Sequence, residues 1–194
     1  MTTLTAWEAL FDRLRLTAES TGTLLVLGAA GGVGSILVQL ARKLTGLTVI
    51  GTASRPDSQQ WVLERGAHRV VNYHDDLAKV LPEGVDYVFS PHSAGMIVTL
   101  AAIVRPFGAV VAIDEPEGRD LLPLKSKSIA CHWELMFTRS LHDILARAAQ
   151  LVGEGVLHTT LTSRVEGINA ANLRRVHADV ESGSSIGKTV LVGF

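Results

Sequence analysis

Between Ser20 and Ala41 the chain carries no charge, and inside that span its apolar pattern changes period. Thr23-Leu-Leu-Val-Leu27 is a continuous apolar run, the pattern of a strand covered on both faces. Ser35-Ile-Leu-Val-Gln-Leu-Ala-Arg42 has the spacing of an amphipathic helix. Glycines at 28, 31, 32 and 34 separate the two. By length alone the uncharged span could cross a bilayer. Four central glycines and the change of period predict a buried strand, a tight turn and a packed helix instead.

The same alternation continues downstream. Leu47–Ile50, Arg69–Asn72, Val85–Ser90, Ala109–Ile113 and Ser128–His132 read as further strands. Between them fall a helix from Pro56 that stops at Gly66, a short one over His74–Leu81, and one over Ala94–Val104 closed by Pro106 and Gly108. Strands interleaved with helices at this spacing predict right-handed crossovers and a parallel sheet. Six strands suit a doubly wound, Rossmann-type α/β fold with strand order 3-2-1-4-5-6. Both ends depart from this plan. Thr5–Leu16 reads as a helix with Leu4, Trp7, Leu10, Phe11 and Leu14 on one face. Beyond Leu151 come a β-prone stretch (His158–Val165), a helix over Asn169–Glu181 and a final strand, Lys188–Phe194.

The glycine turn carries the most specific chemistry. Ala29-x-Gly31-x-x-Gly34 is the dinucleotide fingerprint with its first glycine replaced by alanine, and Gly28 also makes Gly-x-x-Gly-x-x-Gly. Glycine allows a sharp turn and close approach of phosphate oxygens, while the following helix start offers unpaired N–H groups. Ala30, Gly31, Gly32, Val33 and Gly34 are therefore candidate pyrophosphate ligands. About twenty residues on, where an acid would accept from the ribose hydroxyls of NAD, the chain reads Gly51-Thr-Ala-Ser-Arg55. Ser54 and Arg55 suit a 2′-phosphate, so NADP is favoured over NAD; the competing reading of both residues is a solvated loop. Ligands of such sheets lie at the carboxyl ends of the strands. That nominates Asn72 and Tyr73, Ser90–Ser93, Ile113 and Asp114, and Trp133–Phe137.

Composition narrows the remaining choices. Eighteen Lys and Arg balance nineteen Asp and Glu, leaving no field to attract nucleic acid or an acidic membrane. Cys131 is the single cysteine, and the seven histidines lack metal-ligand spacing. The first fifteen residues are charged and lack a secretory apolar core, so a cytoplasmic protein is expected. Neither Tyr73 nor Tyr87 is followed four residues later by lysine, and Gly183–Thr189 is one residue short of a phosphate loop. Asp114, Glu134 and His132 could cluster, but no catalytic residue is assigned.

Together these pieces resemble the zinc-type alcohol dehydrogenase-like and quinone oxidoreductase branch of the medium-chain dehydrogenase/reductase superfamily. The matching segments are Leu4-Thr-Ala-Trp-Glu-Ala-Leu10, Gly28–Gly34, Thr52-Ala-Ser-Arg55, Glu64-Arg-Gly-Ala67, His132-Trp-Glu-Leu-Met-Phe137 and Gly187-Lys-Thr-Val-Leu191. The resemblance implies reduction of quinones, enones or related carbonyls by NADPH. It implies cofactor roles for Ala30–Gly34, Ser54, Arg55, Tyr73, Ser90 and Ile113, and places Trp133–Phe137 near the nicotinamide or a dimer seam. Members of this branch carry a GroES-like domain before the Leu4–Trp7 helix, which supplies most of the substrate pocket and any zinc ligands. Residues 1–194 are thus expected to be the NADP-binding domain alone, inactive by itself and without zinc. Residues 1–20 would be its linking helix, and 184–194 a strand that normally returns to the other domain. Such a strand must pair elsewhere or lie exposed, and an exposed edge predicts self-association as a homodimer. The alternative is a non-catalytic module that senses NADPH.

Overall fold

The computed structural model describes residues 1–115, 118, 120–138 and 142–193. Six strands form one parallel sheet: β1 (Thr23–Val26), β2 (Thr48–Thr52), β3 (Arg69–Val71), β4 (Val85–Ser90), β5 (Val104–Ala112) and β6 (Ala130–Trp133). Their order is β3-β2-β1-β4-β5-β6, as the alternation of elements predicts. Side chains on a strand alternate between faces, and the core divides accordingly. Leu24, Val26, Phe89 and Val111 join one apolar cluster, Leu25, Val88 and Val110 the other. Helix α2 (Gly32–Leu44) covers the first face through Leu37 and Leu40, and α5 (Ile97–Ile103) covers the second through Leu100 and Ile103. Covering both faces is why β1 reads as an unbroken apolar run.

Helix α1 (Thr2–Trp7) packs on α2 and continues as a π-helical segment, Glu8–Arg13, in which Leu14 N–H donates to Ala9 C=O. That segment brings Glu8 into the interior, completely buried. Helix α3 (Pro56–Glu64) follows β2, with Pro56 in its first turn. The helix expected over His74–Leu81 contracts to α4 (Leu77–Val80), because the Asp76 carboxylate caps it by accepting from Ala78 N–H. Helix α5 starts at Ile97 rather than Ala94.

Two later elements, α6 (Leu122–Lys125) and α7 (His142–Gly153), are not anticipated by the apolar pattern reading above. The end of the chain forms a separate unit. β7 (Leu161–Glu166) and β8 (Lys188–Val192) pair in parallel, joined by α8 (Ala170–Glu181), whose Asn169 cap accepts from Asn172 N–H. The terminal strand therefore does find a partner, in β7; Phe194 lies outside the described residues.

Candidate functional site

Strand β1 delivers the chain to a turn at its carboxyl end. Gly28 takes φ +62°, a conformation costly for any residue with a Cβ, and so performs the tight turn that the altered fingerprint displaces by one position. β2 fixes the turn from the side: Thr52 accepts from Gly28 N–H through its hydroxyl (3.0 Å) and from Ala29 N–H through its carbonyl (3.3 Å). Ala29 is fully buried against Gly51, where a Cβ would stand 2.8 Å from the Ala29 methyl. Gly51 thus makes the room that the alanine needs. Gly34 packs against rigid backbone, since a Cβ there would lie 2.4 Å from Gly28 C=O.

Gly31 caps α2 in an extended conformation and Ser35 N–H donates to Gly31 C=O. The amides of Gly32, Val33 and Gly34, between these two, donate to no acceptor among the described residues, and no side chain caps the helix. Three convergent N–H groups at the positive end of a thirteen-residue helix form an anion cradle. Ser35 buttresses it, its hydroxyl donating to Ala29 C=O (3.3 Å) and accepting from Trp61 Nε1 (2.8 Å). Among the candidate ligands, Ala30 uses its carbonyl to accept from Gly187 N–H (2.8 Å), and Val33 packs on the core.

Arg55, at the end of β2, is the N-cap of α3 and exposed, with its guanidinium donating to Ser184 C=O. Ser54 is half-buried, and its hydroxyl has no partner among the described residues. The nearest acid, Asp57, lies in the first turn of α3. A residue that the fingerprint does not reveal completes the corner. A Cβ on Gly32 would fall 2.3 Å from Lys188 Cε and 3.0 Å from its Nζ, so the lysine side chain lies directly over the cradle. The Gly31–Gly187 bridge holds it there. Gly187-Lys-Thr189 carries that signal in the sequence, but nothing in the local pattern ties it to a turn 156 positions earlier.

The remaining nominees divide. Ser90 is buried and donates to His92 C=O (3.0 Å), so it shapes the loop after β4. Ser93 donates to Asp114 through both its amide (2.7 Å) and its hydroxyl (2.8 Å), tying the ends of β4 and β5 together. Ile113 N–H donates to Ser90 C=O. Tyr73 is 49% exposed and its ring leans on His74 (4.1 Å between centroids). Asn72 accepts from His74 N–H. Trp133, Leu135 and Phe137 are exposed at 51%, 49% and 74%.

Asp114, His132 and Glu134 each have different partners. Asp114 holds Ser93, whereas Glu134 is buried against the N-terminal helix and accepts from Arg13 Nε (3.0 Å). Burial, then the hydrogen bond and negative charge of Glu8, push the Glu134 carboxyl up to about 7, outweighing the opposing guanidinium. His132 moves down, through burial first and then the charges of Arg15 and Arg13. Among the described residues no three His, Cys, Asp or Glu side chains are placed to hold a metal ion. No described helix is long and apolar enough to cross a membrane.

Known proteins of this architecture can be compared with that geometry. A zinc-type alcohol dehydrogenase-like protein of Staphylococcus epidermidis is 36% identical over 212 aligned residues, covering 98% of this chain and 62% of its own length. A Rhizobium etli structure described as a zinc-dependent alcohol dehydrogenase superposes with a TM-score of 0.89 at 43% identity, over 100% of this chain and 61% of that one. Mycobacterial Rv1454c, solved in complex with NADPH, gives 0.84 at 26% identity over 100% and 62%. The chain thus spans about three-fifths of the length of the relatives it matches. Residues 65–191 match the family described as zinc-binding dehydrogenase. This chain belongs to that family and is similar to its zinc-type alcohol dehydrogenase-like members.

Proposed function

We propose that this chain is the NADPH-binding portion of an oxidoreductase that reduces quinones, enones or related activated carbonyls. The observation that carries the reading is the set of three uncommitted amides at Gly32–Gly34, overlaid by Lys188, together with Arg55 and no acid at the tip of β2. Amides and Lys188 match a diphosphate, and Arg55 with Ser54 matches an additional phosphate ester. An Asp at the β2 tip would repel that ester; here the strand tip presents only a hydroxyl and a guanidinium. The NADPH complex of Rv1454c supports the same choice.

Bound NADPH would supply the hydride. The residues of this chain bind the diphosphate, orient the dinucleotide along the strand ends and, through Ser93–Asp114, fix the loop beside it. The substrate would be held by the part of the longer protein that the relatives carry and this chain does not span. We further propose a homodimer: β6 is an edge strand, and the exposed Trp133, Leu135 and Phe137 at and beyond its end supply apolar area for a second copy.

Calorimetric titration tests the binding claim. NADPH should bind 1:1 and at least tenfold more tightly than NADH. Equal affinities would overturn the NADP assignment, and no binding of either would overturn the reading. Oxidation of NADPH by quinones or enones should then require the longer protein.

A further inference from the structure

At the opposite end of α2 from the glycine turn, a recess of about 280 Å³ opens between the last turns of α2 and α3 and the segment leading to β7. Its Arg42 stands ten residues of helix, ~15 Å, from Gly32 of the cradle. Arg42 and Lys43 line it from α2, Arg65 from the end of α3, and His158 from the third side. Gln39 anchors that third side, accepting from His158 N–H (2.8 Å) and donating to His158 C=O (3.3 Å). The one acid of the lining, Glu64, accepts from the Gln60 amide.

None of the three cations has an ion-pair partner among the described residues. The negative end of the α2 dipole accounts for Arg42 and Lys43 in its last turn. It does not account for Arg65. That guanidinium lies over Trp61, its Cζ 4.2 Å from the ring centroid, and its Nε is buried without an acceptor. A desolvated charged donor left unmatched is costly, so its position calls for an acceptor. Gly66 shapes the recess: at φ +107°, a Cβ there would stand 2.9 Å from Arg42 Cγ, so its absence lets the Arg42 stem lie against the backbone at Gly66.

We propose that this recess is a second anion site, which takes a phosphate dianion, free or as the monoester of a small metabolite. Two guanidiniums on adjoining walls can offer forked contacts to tetrahedral oxygens, and Lys43 adds a point charge. This proposal stands whether or not the glycine turn binds NADPH.

The test titrates inorganic phosphate, and separately glucose 6-phosphate, into the chain and its variants by calorimetry at constant ionic strength, with chloride as the balancing anion and with saturating NADPH present throughout so that the glycine turn is filled. Saturable 1:1 binding of either probe, weakened at least tenfold in Arg42→Gln and in Arg65→Gln and unchanged in Arg55→Gln, would establish the site. Binding of the inorganic ion would assign free phosphate, and binding of the ester alone a metabolite. Phosphate binding that survives Arg42→Gln, or a response that chloride reproduces, would overturn it. Should Arg65→Gln lose its circular dichroism, Arg65→Lys and the exposed Arg42→Gln decide the matter. NADPH affinity in Arg42→Gln should equal that of the parent chain, which separates this claim from the cofactor claim.

Discussion

Gly32 and Gly34 belong to one motif but are constrained by different neighbours. A methyl group at Gly34 would meet backbone, Gly28 C=O at 2.4 Å and Ala29 Cα at 2.7 Å, which cannot yield without moving the turn. Gly34→Ala should lower stability by about 1–3 kcal/mol or more, read from urea unfolding. At Gly32 the neighbour is the flexible end of Lys188. Gly32→Ala should cost less than about 1 kcal/mol yet weaken NADPH, because it displaces the ammonium from the cradle. Equal destabilisation by the two would contradict this distinction. Arg55→Ala should weaken NADPH roughly ten- to a hundredfold and leave NADH nearly unchanged, since only the former presents a 2′-phosphate. Both the turn and Arg55 were legible as spacings along the chain. Lys188 and the Ser184 contact of Arg55 were not, because each depends on a segment that folds back from about 130 or more positions away.

At the level of elements, the N-terminal helix is joined to the end of β6 by buried charge. Arg13 pairs with Glu134, and the buried Glu8 carboxyl is close enough to raise the Glu134 pKa. With its carboxyl raised from an ordinary 4.5 to about 7, Glu134 keeps in the folded chain a proton that the unfolded chain releases. Between those values the native state binds more protons, so this group makes stability fall as pH rises, by at most about 1.4 kcal/mol per pH unit. Glu134→Gln should remove that slope and raise stability at pH 8; an unchanged pH profile of the unfolding midpoint would count against the shared proton. Nothing in the sequence marks Glu8 as buried, because the widened π-helical turn that brings it inward leaves no trace in the apolar period. The central strands were readable, being continuous apolar runs covered on both faces. Helix α7 was missed although Ile144, Ala148 and Leu151 recur at helical spacing and all bury. The β7–β8 unit was anticipated as strands, but its docking on the glycine turn rests on Gly187, at φ +62° with Thr160 C=O 2.3 Å from where a Cβ would lie. Gly187→Ala should detach that unit, seen as faster proteolysis after residue 160.

The molecule as a whole gathers its strand ends on one edge of the sheet, and the order of strands puts β1 and β4 side by side at the point where the winding reverses. The cradle, Arg55, Lys188 and the Ser93–Asp114 tie all belong to that edge. If β6 serves as the seam between copies, light scattering should give the mass of a dimer, and Trp133→Lys should reduce it to that of a monomer. The central claim is narrower: free main-chain amides at the start of α2 hold the diphosphate. Titration of the ¹⁵N-labelled chain with NADPH, followed by its amide resonances, tests this directly. The largest shifts should fall on Gly32, Val33 and Gly34, with saturation at one equivalent. Saturable NADPH binding that leaves those three resonances in place would contradict it.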